Sequence, residues 1–352
     1  MNHEPPAICK VWDRLKERDR IGIWGFGNVS TDVVQSLVDQ GIGKEIVFYG
    51  RPRENYQNRA GAWVEDLKAN TVRRPRILGT NRLEDMAGLD VIFIGVGVPR
   101  KEGQTRRDLL AINTEVIAQT SIEIRKLYEH CTRQGDLPVL IFMGNPVTSM
   151  TWVAYKVTGF PRTHVMGQAG NLDSRRICHA ISGVLGLSGT DMRGIVFGDH
   201  GDSMVASPRY FSVGGISLDT FAQMENIDLN KIQGIIEKAK KGGTHFVSET
   251  GRSASAGPAR AACDMLRCIV SGEPEVQPVV AIIEKEYGLL QPGDDLDTMS
   301  YGVPAKIGRD GIEHIYELPV DDIFDQLKAS AEQIKADIRH AASILRDRYS
   351  IT

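Results

Sequence analysis

The sequence predicts an α/β fold: a parallel sheet carrying helices, followed by a region of mixed strands and helices. Three observations predict it. Residues 21–24 form a short apolar run that passes into a glycine turn and then into helical spacing. Similar runs recur at 45–49, 91–96 and 139–143, each closed by glycine or proline, as strands buried on both faces require. From Gly170 onward the composition shifts and the strands no longer alternate regularly with helices. A chain of 352 residues is long for one core, so two domains are expected: 21–165 and 166–352, after an N-terminal extension at 1–20.

Composition narrows the function classes. Hydrophobic residues at 41% and charged residues at 25% are globular values. A net charge of −3 favours neither a nucleic-acid partner nor an anionic membrane surface. No run approaches the length of a membrane span, and the charged first twenty residues lack the apolar core of a signal peptide. Cys9, Cys131, Cys178, Cys263 and Cys268 are scattered, with no metal-ligand spacing. Such a set implies reduced thiols and a cytoplasmic home. The histidines form no HxH or HExxH pairing, so no metal site is expected.

In chain order, residues 21–24 lead into Gly25-Phe26-Gly27-Asn28-Val29-Ser30 and then a helix ending at Gly41. Strand, glycine turn and helix in that order form half of a dinucleotide site, with pyrophosphate at the helix N-terminus. Gly25, Gly27, Asn28 and Val29 are its candidate contacts, and Ser30 stands where a third glycine is usual. The second strand, 45–49, ends at Gly50-Arg51-Pro52-Arg53. An NAD site places an acid there for the ribose hydroxyls. Here the acid is absent, and Arg51 and Arg53 favour the 2′-phosphate of NADP over NAD; the other reading is an ordinary basic loop.

Helical pieces are expected at 61–67 and 83–88, with a strand at 77–79. The strand at 91–96 opens onto Gly97, Pro99, Arg100, Lys101, Arg106 and Arg107, and a helix is expected from Asp108. Ligands bind at the carboxyl ends of strands in open α/β sheets. Arg100 and Arg106 on such a loop could close over a small anion, or form only a solvated basic loop. Asn145 ends the strand at 139–143, where it could orient a ligand hydroxyl or simply make the turn before proline.

In the second region Asp173 and Arg176 share one face of a helix that starts near Gly170. A strand at 195–197 leads to Asp199-His200-Gly201-Asp202, and His200 alone among the histidines lies between glycines at a strand end. Residues 240–259 are rich in glycine and small residues, a helix follows at 261–270, and strands are expected at 278–283 and 303–307. A long amphipathic helix is expected at 322–345.

These motifs resemble the malate/lactate dehydrogenase superfamily, on its malate dehydrogenase side, over nearly the whole chain. Gly97-Val98-Pro99-Arg100-Lys101 with Thr105-Arg106, Asn145-Pro146-Val147, Leu172-Asp173-Ser174 with Arg176, and His200-Gly201-Asp202-Ser203 occur in the family's order. The resemblance implies a Rossmann-type parallel-sheet dinucleotide domain followed by an α+β catalytic domain. It implies His200 as proton donor and acceptor, with Asp173 orienting it. Arg176 would anchor the substrate's 1-carboxylate, Arg106 would polarise its carbonyl, and Arg100 would pair with a distal carboxylate. Gly97, Asn113, Asn145 and Ser253 would lie near cofactor or substrate. A homodimer or homotetramer is implied as well.

Four departures stand out: Ser30 for glycine, Gly50 for an acid, Gly95-Val96-Gly97 for the usual run, and Ser255, Ala256 and Gly257 where bulky residues are familiar. The expectation is reversible reduction of a small 2-oxo acid, oxaloacetate leading, with NADP. The rivals are a biosynthetic reductase of another 2-oxo acid with a distal anion, such as a phosphonate, and a non-catalytic nucleotide-binding sensor.

Overall fold

A computed structural model describes residues 19–69, 75–99, 103–131, 134–201, 203–251 and 253–351. The first half alternates strands and helices: β1 (Arg20–Trp24), α1 (Asn28–Gln40), β2 (Glu45–Tyr49), α2 (Arg59–Ala69), β3 (Arg76–Thr80), β4 (Val91–Ile94), α3 (Arg106–Leu127), β5 (Val139–Phe142), α4 (Val147–Thr158) and β6 (Val165–Gly167). Its strands are parallel and lie in the order β3-β2-β1-β4-β5-β6, the doubly wound Rossmann arrangement. The order reverses between β1 and β4, so a crevice opens beyond their carboxyl ends. β4 and β5 are buried at every residue, which is why both read as unbroken apolar runs.

The second half holds α5 (Gly170–Leu185), β7 (Met192–Gly194), β8 (Phe197–Gly198), β9 (Met204–Val205), β10 (Phe211–Val213), β11 (Ile216–Ser217), α6 (Leu218–Met224), α7 (Leu229–Lys240), α8 (Gly242–Thr250), α9 (Ala256–Ser271), β12 (Glu275–Ile283), β13 (Met299–Gly308), β14 (Gly311–Ile315) and α10 (Phe324–Tyr349). β12 pairs antiparallel with β6, so the parallel sheet continues directly into the strands of the second half. β7, β10 and β11 make a separate small sheet. α9 packs back against α1 of the first half, and the Cys263 thiol donates to the Val33 carbonyl at 3.7 Å.

Three local expectations change. Arg106 is the first residue of α3 rather than part of the loop before it. Thr105 caps that helix, with Thr105 and Asp108 bonding each other's backbone N–H in a capping box. Residues 195 and 196 do not continue β8, because Ile195 N–H donates to Tyr210 and only Phe197 and Gly198 pair with β9. The glycine-rich stretch after residue 240 contains α8, which closes on the left-handed Gly251.

Candidate active site

The glycine turn has the backbone that its sequence demands. Gly25 has φ +110, a conformation side chains disfavour, and an added Cβ would lie 2.7 Å from Val96. Gly27 caps α1 without any side-chain bond, and a Cβ built there would meet no atom within 4 Å. The first turn of α1 holds no acidic residue. The uncapped first turn of α1, beside the open space at Gly27, is a fit for the pyrophosphate of a dinucleotide. Ser30 is fully buried, and a Cβ on Gly95 would lie 2.4 Å from its hydroxyl oxygen. Two of the unusual residues thus compensate: the volume added at 30 is removed at 95.

Gly50 is closely packed too, though less severely. An added Cβ would stand 3.2 Å from the Phe26 Cβ and 3.3 Å from the Ala60 Cβ, while one on Gly79 would lie 2.3 Å from the Ala60 carbonyl oxygen. The two glycines let the start of α2 press onto β2 and β3. That brings Arg59 to the end of β2, its guanidinium 4.7 Å over the Phe26 ring. The Arg59 Nε is buried and bonds no group among the described residues. Burial lowers its pKa, and the charge of Arg53 lowers it further. Arg51, the nearer candidate in sequence, instead donates to Glu123 on α3 at 2.6 Å. Arg53 joins Tyr56 through backbone bonds and forms no side-chain ion pair among the described residues. Sequence reasoning missed Arg59, since an arginine at a helix start carries no motif.

At the carboxyl ends of β4 and β5, Asn113 is almost fully buried in α3. Its Nδ2 donates to the carbonyls of Asn145 at 2.6 Å and Val98 at 3.2 Å, and its Oδ1 accepts from Val98 N–H at 2.7 Å. Asn113 therefore fixes the Gly97 loop against the Asn145 turn, and its amide is occupied by protein rather than ligand. The Asn145 side-chain amide is exposed and bonds no described residue. Arg100, Lys101 and Asp202 lie outside the described residues. Ser253 is exposed.

Two left-handed glycines, Gly198 at φ +85 and Gly201 at φ +97, bracket the turn after β8. The turn brings His200 onto Asp173 in the first turn of α5, with Nδ1 2.7 Å from Oδ2. Facing a carboxylate, Nδ1 carries the proton and Nε2 is left to act on a substrate. Burial alone would lower the imidazole pKa, but the carboxylates of Asp173 and Asp199 outweigh it against Arg176, and His200 stays protonated above its usual range. Arg176 lies 3.8 Å from the other Asp173 oxygen, and α8 borders it, with Gly243 offering room where a Cβ would come 3.6 Å from Nη1.

Arg106 is held from one edge. Nη2 donates to Asp199 at 2.7 Å and to Asp337 at 2.8 Å, and Nε donates to the same Asp337 oxygen at 3.2 Å. Asp199 also accepts from Thr148 at 2.6 Å. Asp337, on α10 and 231 positions away, could not be paired with Arg106 from any local pattern.

An imidazole polarised by a buried carboxylate, arginines on two sides, and a dinucleotide-type crevice together define a nicotinamide-dependent dehydrogenase of 2-hydroxy acids. Models described as lactate/malate dehydrogenase, NAD binding domain, and lactate/malate dehydrogenase, alpha/beta C-terminal domain, match residues 19–167 and 170–344. The chain belongs to the lactate/malate dehydrogenase family. The malate dehydrogenase of Chloroherpeton thalassium is 32% identical over 330 residues, covering 93% of this chain and 100% of that protein. The solved malate dehydrogenase of Salinibacter ruber aligns with a TM-score of 0.80 at 32% identity, covering 93% of this chain and 99% of that one. A Cryptosporidium parvum lactate dehydrogenase, solved with lactic acid and β-nicotinamide adenine dinucleotide, gives 0.82 at 25% identity over the same shares.

Proposed function

We propose that this enzyme interconverts oxaloacetate and malate, with NADP as its preferred cofactor. The observation that carries the cofactor reading is the pair Arg53 and Arg59 beside Gly50, two cations with no carboxylate partner among the described residues where an NAD site needs an acid. A 2′-phosphate is the anion whose geometry suits such a pair. The substrate reading rests on Arg176 beside the His200–Asp173 pair and on the sequence motif that contains Arg100. The relatives named malate dehydrogenase support it.

In the reduction, Arg176 holds the 1-carboxylate and the Arg106 guanidinium polarises the carbonyl oxygen. A nicotinamide, when bound in the crevice, would supply the hydride that the 2-carbon accepts. His200 releases its Nε2 proton to the carbonyl oxygen, and Asp173 stabilises the imidazolium before that release and fixes its orientation. The alcohol product then carries both hydrogens, and oxidation reverses each transfer. Arg100 would meet the distal carboxylate, since a guanidinium facing a methyl group is left unpaired. We also infer a cytoplasmic homodimer or homotetramer; sedimentation of the purified protein as a monomer would remove the oligomer.

The test is kcat/KM for oxaloacetate and pyruvate, each with NADPH and NADH. Oxaloacetate with NADPH should lead. Equal use of the two cofactors, or a preference for NADH, overturns the cofactor reading. Pyruvate reduced as well as oxaloacetate overturns the substrate reading. Arg100→Gln should lower kcat/KM for oxaloacetate far more than for pyruvate.

A further inference from the structure

The C-terminal helix reaches the active site twice. Asp337 on α10 accepts from Nε and Nη2 of Arg106. Ser330, seven residues earlier on the same helix, accepts from the backbone N–H of Asp199 at 3.3 Å, and Asp199 immediately precedes His200. Seven residues are close to two helical turns, so both side chains leave α10 on one face. Asp199 completes the link: one carboxylate oxygen accepts from Arg106 and the other from Thr148, two residues beyond Pro146.

Both carboxylates are nearly dry. The Asp199 side chain is 2% exposed and the Asp337 side chain 12%, whereas Arg106 is 44% exposed. The bonds occupy Nε and Nη2 only. No described residue bonds Nη1, so the guanidinium is gripped along one edge and open along the other. A planar fork fixed at two of its three nitrogens has little freedom to rotate.

We propose that Asp199 and Asp337 are positioning residues that hold Arg106 in register with His200 and present its Nη1 edge to the substrate carbonyl. The inference rests on the reading of Arg106 as the group at that carbonyl. The substrate's oxygen needs a donor and a proton source at a set separation, and α10 ties the bearers of both to one rigid element. The two carboxylates also leave the Arg106 cluster with a net negative charge, so its contribution is directional rather than a general attraction for anions.

The experiment is a double-mutant cycle on the full-length enzyme, with kcat, the KM of the 2-oxo acid, the KM of the cofactor and Tm measured for each variant. Asp337→Ala should lower kcat by on the order of tenfold to a hundredfold, the scale of a misplaced catalytic group, and leave the cofactor KM unchanged. Asp337→Asn, which keeps an acceptor oxygen, should lose less and guards against a folding failure of the alanine variant. In an Arg106→Gln background the Asp337 substitutions should have no further effect on kcat, because their route of action has gone. Losses that simply add would overturn the inference, as would unchanged or raised kcat in both Asp337 variants. Wild-type turnover in Arg106→Gln alone would overturn the reading of Arg106, and this inference with it. Loss in Arg106→Gln with additive Asp337 effects would overturn the inference only.

Discussion

Two groups of arginines flank the crevice, and their surroundings are opposite. Arg53 and Arg59 lie at the end of β2 with no acid among the described residues paired to either, and burial and then the charge of Arg53 lower the pKa of Arg59. Arg106 lies at the start of α3 with two buried carboxylates on one edge, which raise its pKa although burial alone would lower it. Arg59, whose buried Nε bonds no described residue, and the exposed Arg53 beside it are free to meet an anion supplied from outside. A cation already matched by two acids is an oriented tool. The same residue type thus does two jobs, and the neighbours decide which.

The comparison can be broken at several points. The largest effect should come from His200→Asn, which removes the proton carrier beside the matched arginine. Turnover should fall by roughly 10²–10⁴-fold, the usual contribution of acid–base catalysis, while NADPH binding measured by fluorescence titration persists. Asp173→Asn should retain more activity, since it orients rather than reacts. Next is Arg59→Gln, on the unmatched side. Loss of one charge-assisted bond to phosphate, about 1.5–3 kcal/mol, should lower kcat/KM for NADPH by about 10–100-fold and spare NADH. Arg51→Gln should matter less, because Arg51 is already spent on Glu123. An enzyme in which Arg51 alone controlled the preference would reverse that assignment.

A smaller effect concerns pH. His200 faces Asp173, Asp199 and Arg176, and its pKa lies above the ordinary imidazole value. Reduction needs the protonated ring, so its kcat/KM should hold below the elevated pKa and fall as pH rises through it. Oxidation needs the neutral ring and should rise over the same window. Asp199→Asn removes one of the charges that raise the pKa, and both profiles should then move to lower pH. Profiles that stay in place would take Asp199 out of the electrostatics of His200.

The least dramatic test is of packing. Gly95→Ala should destabilise the protein by about 1–3 kcal/mol through overpacking against Ser30 and Phe93, seen as a lower Tm. Adding Ser30→Gly should restore much of that loss, since the hydroxyl is the nearest obstacle. Independent effects of the two changes would mean that they do not compensate.

Sequence periodicity located β1, β2, β4 and β5 because each is a short apolar run closed by glycine, but β6, β7, β9, β10, β11 and β14, only two to five residues long, gave no such signal. Periodicity left His200, Asp173 and Arg176 as ordinary loop and helix residues, and it was the resemblance of their motifs to the family that implied roles for them. It did not reveal α8, because a helix beginning Gly242-Gly243 reads as loop. Asp337 was invisible for a different reason: it is one acid among many on a long amphipathic helix, and only tertiary packing brings it to Arg106. Asp199 could be read only as a loop carboxylate until its burial was known.

Gly50 carries a consequence for anyone redesigning the cofactor site. Position 50 appears in the sequence as a vacancy into which an acid could be written. In the fold an added Cβ there would meet the Cβ atoms of Phe26 at 3.2 Å and Ala60 at 3.3 Å, so these neighbours would have to yield by a few tenths of an ångström. An aspartate there would have to move its neighbours before its charge could act on a ribose. Any conversion toward NAD therefore has to seat its new side chain against the Cβ atoms of Phe26 and Ala60 as well as place a charge.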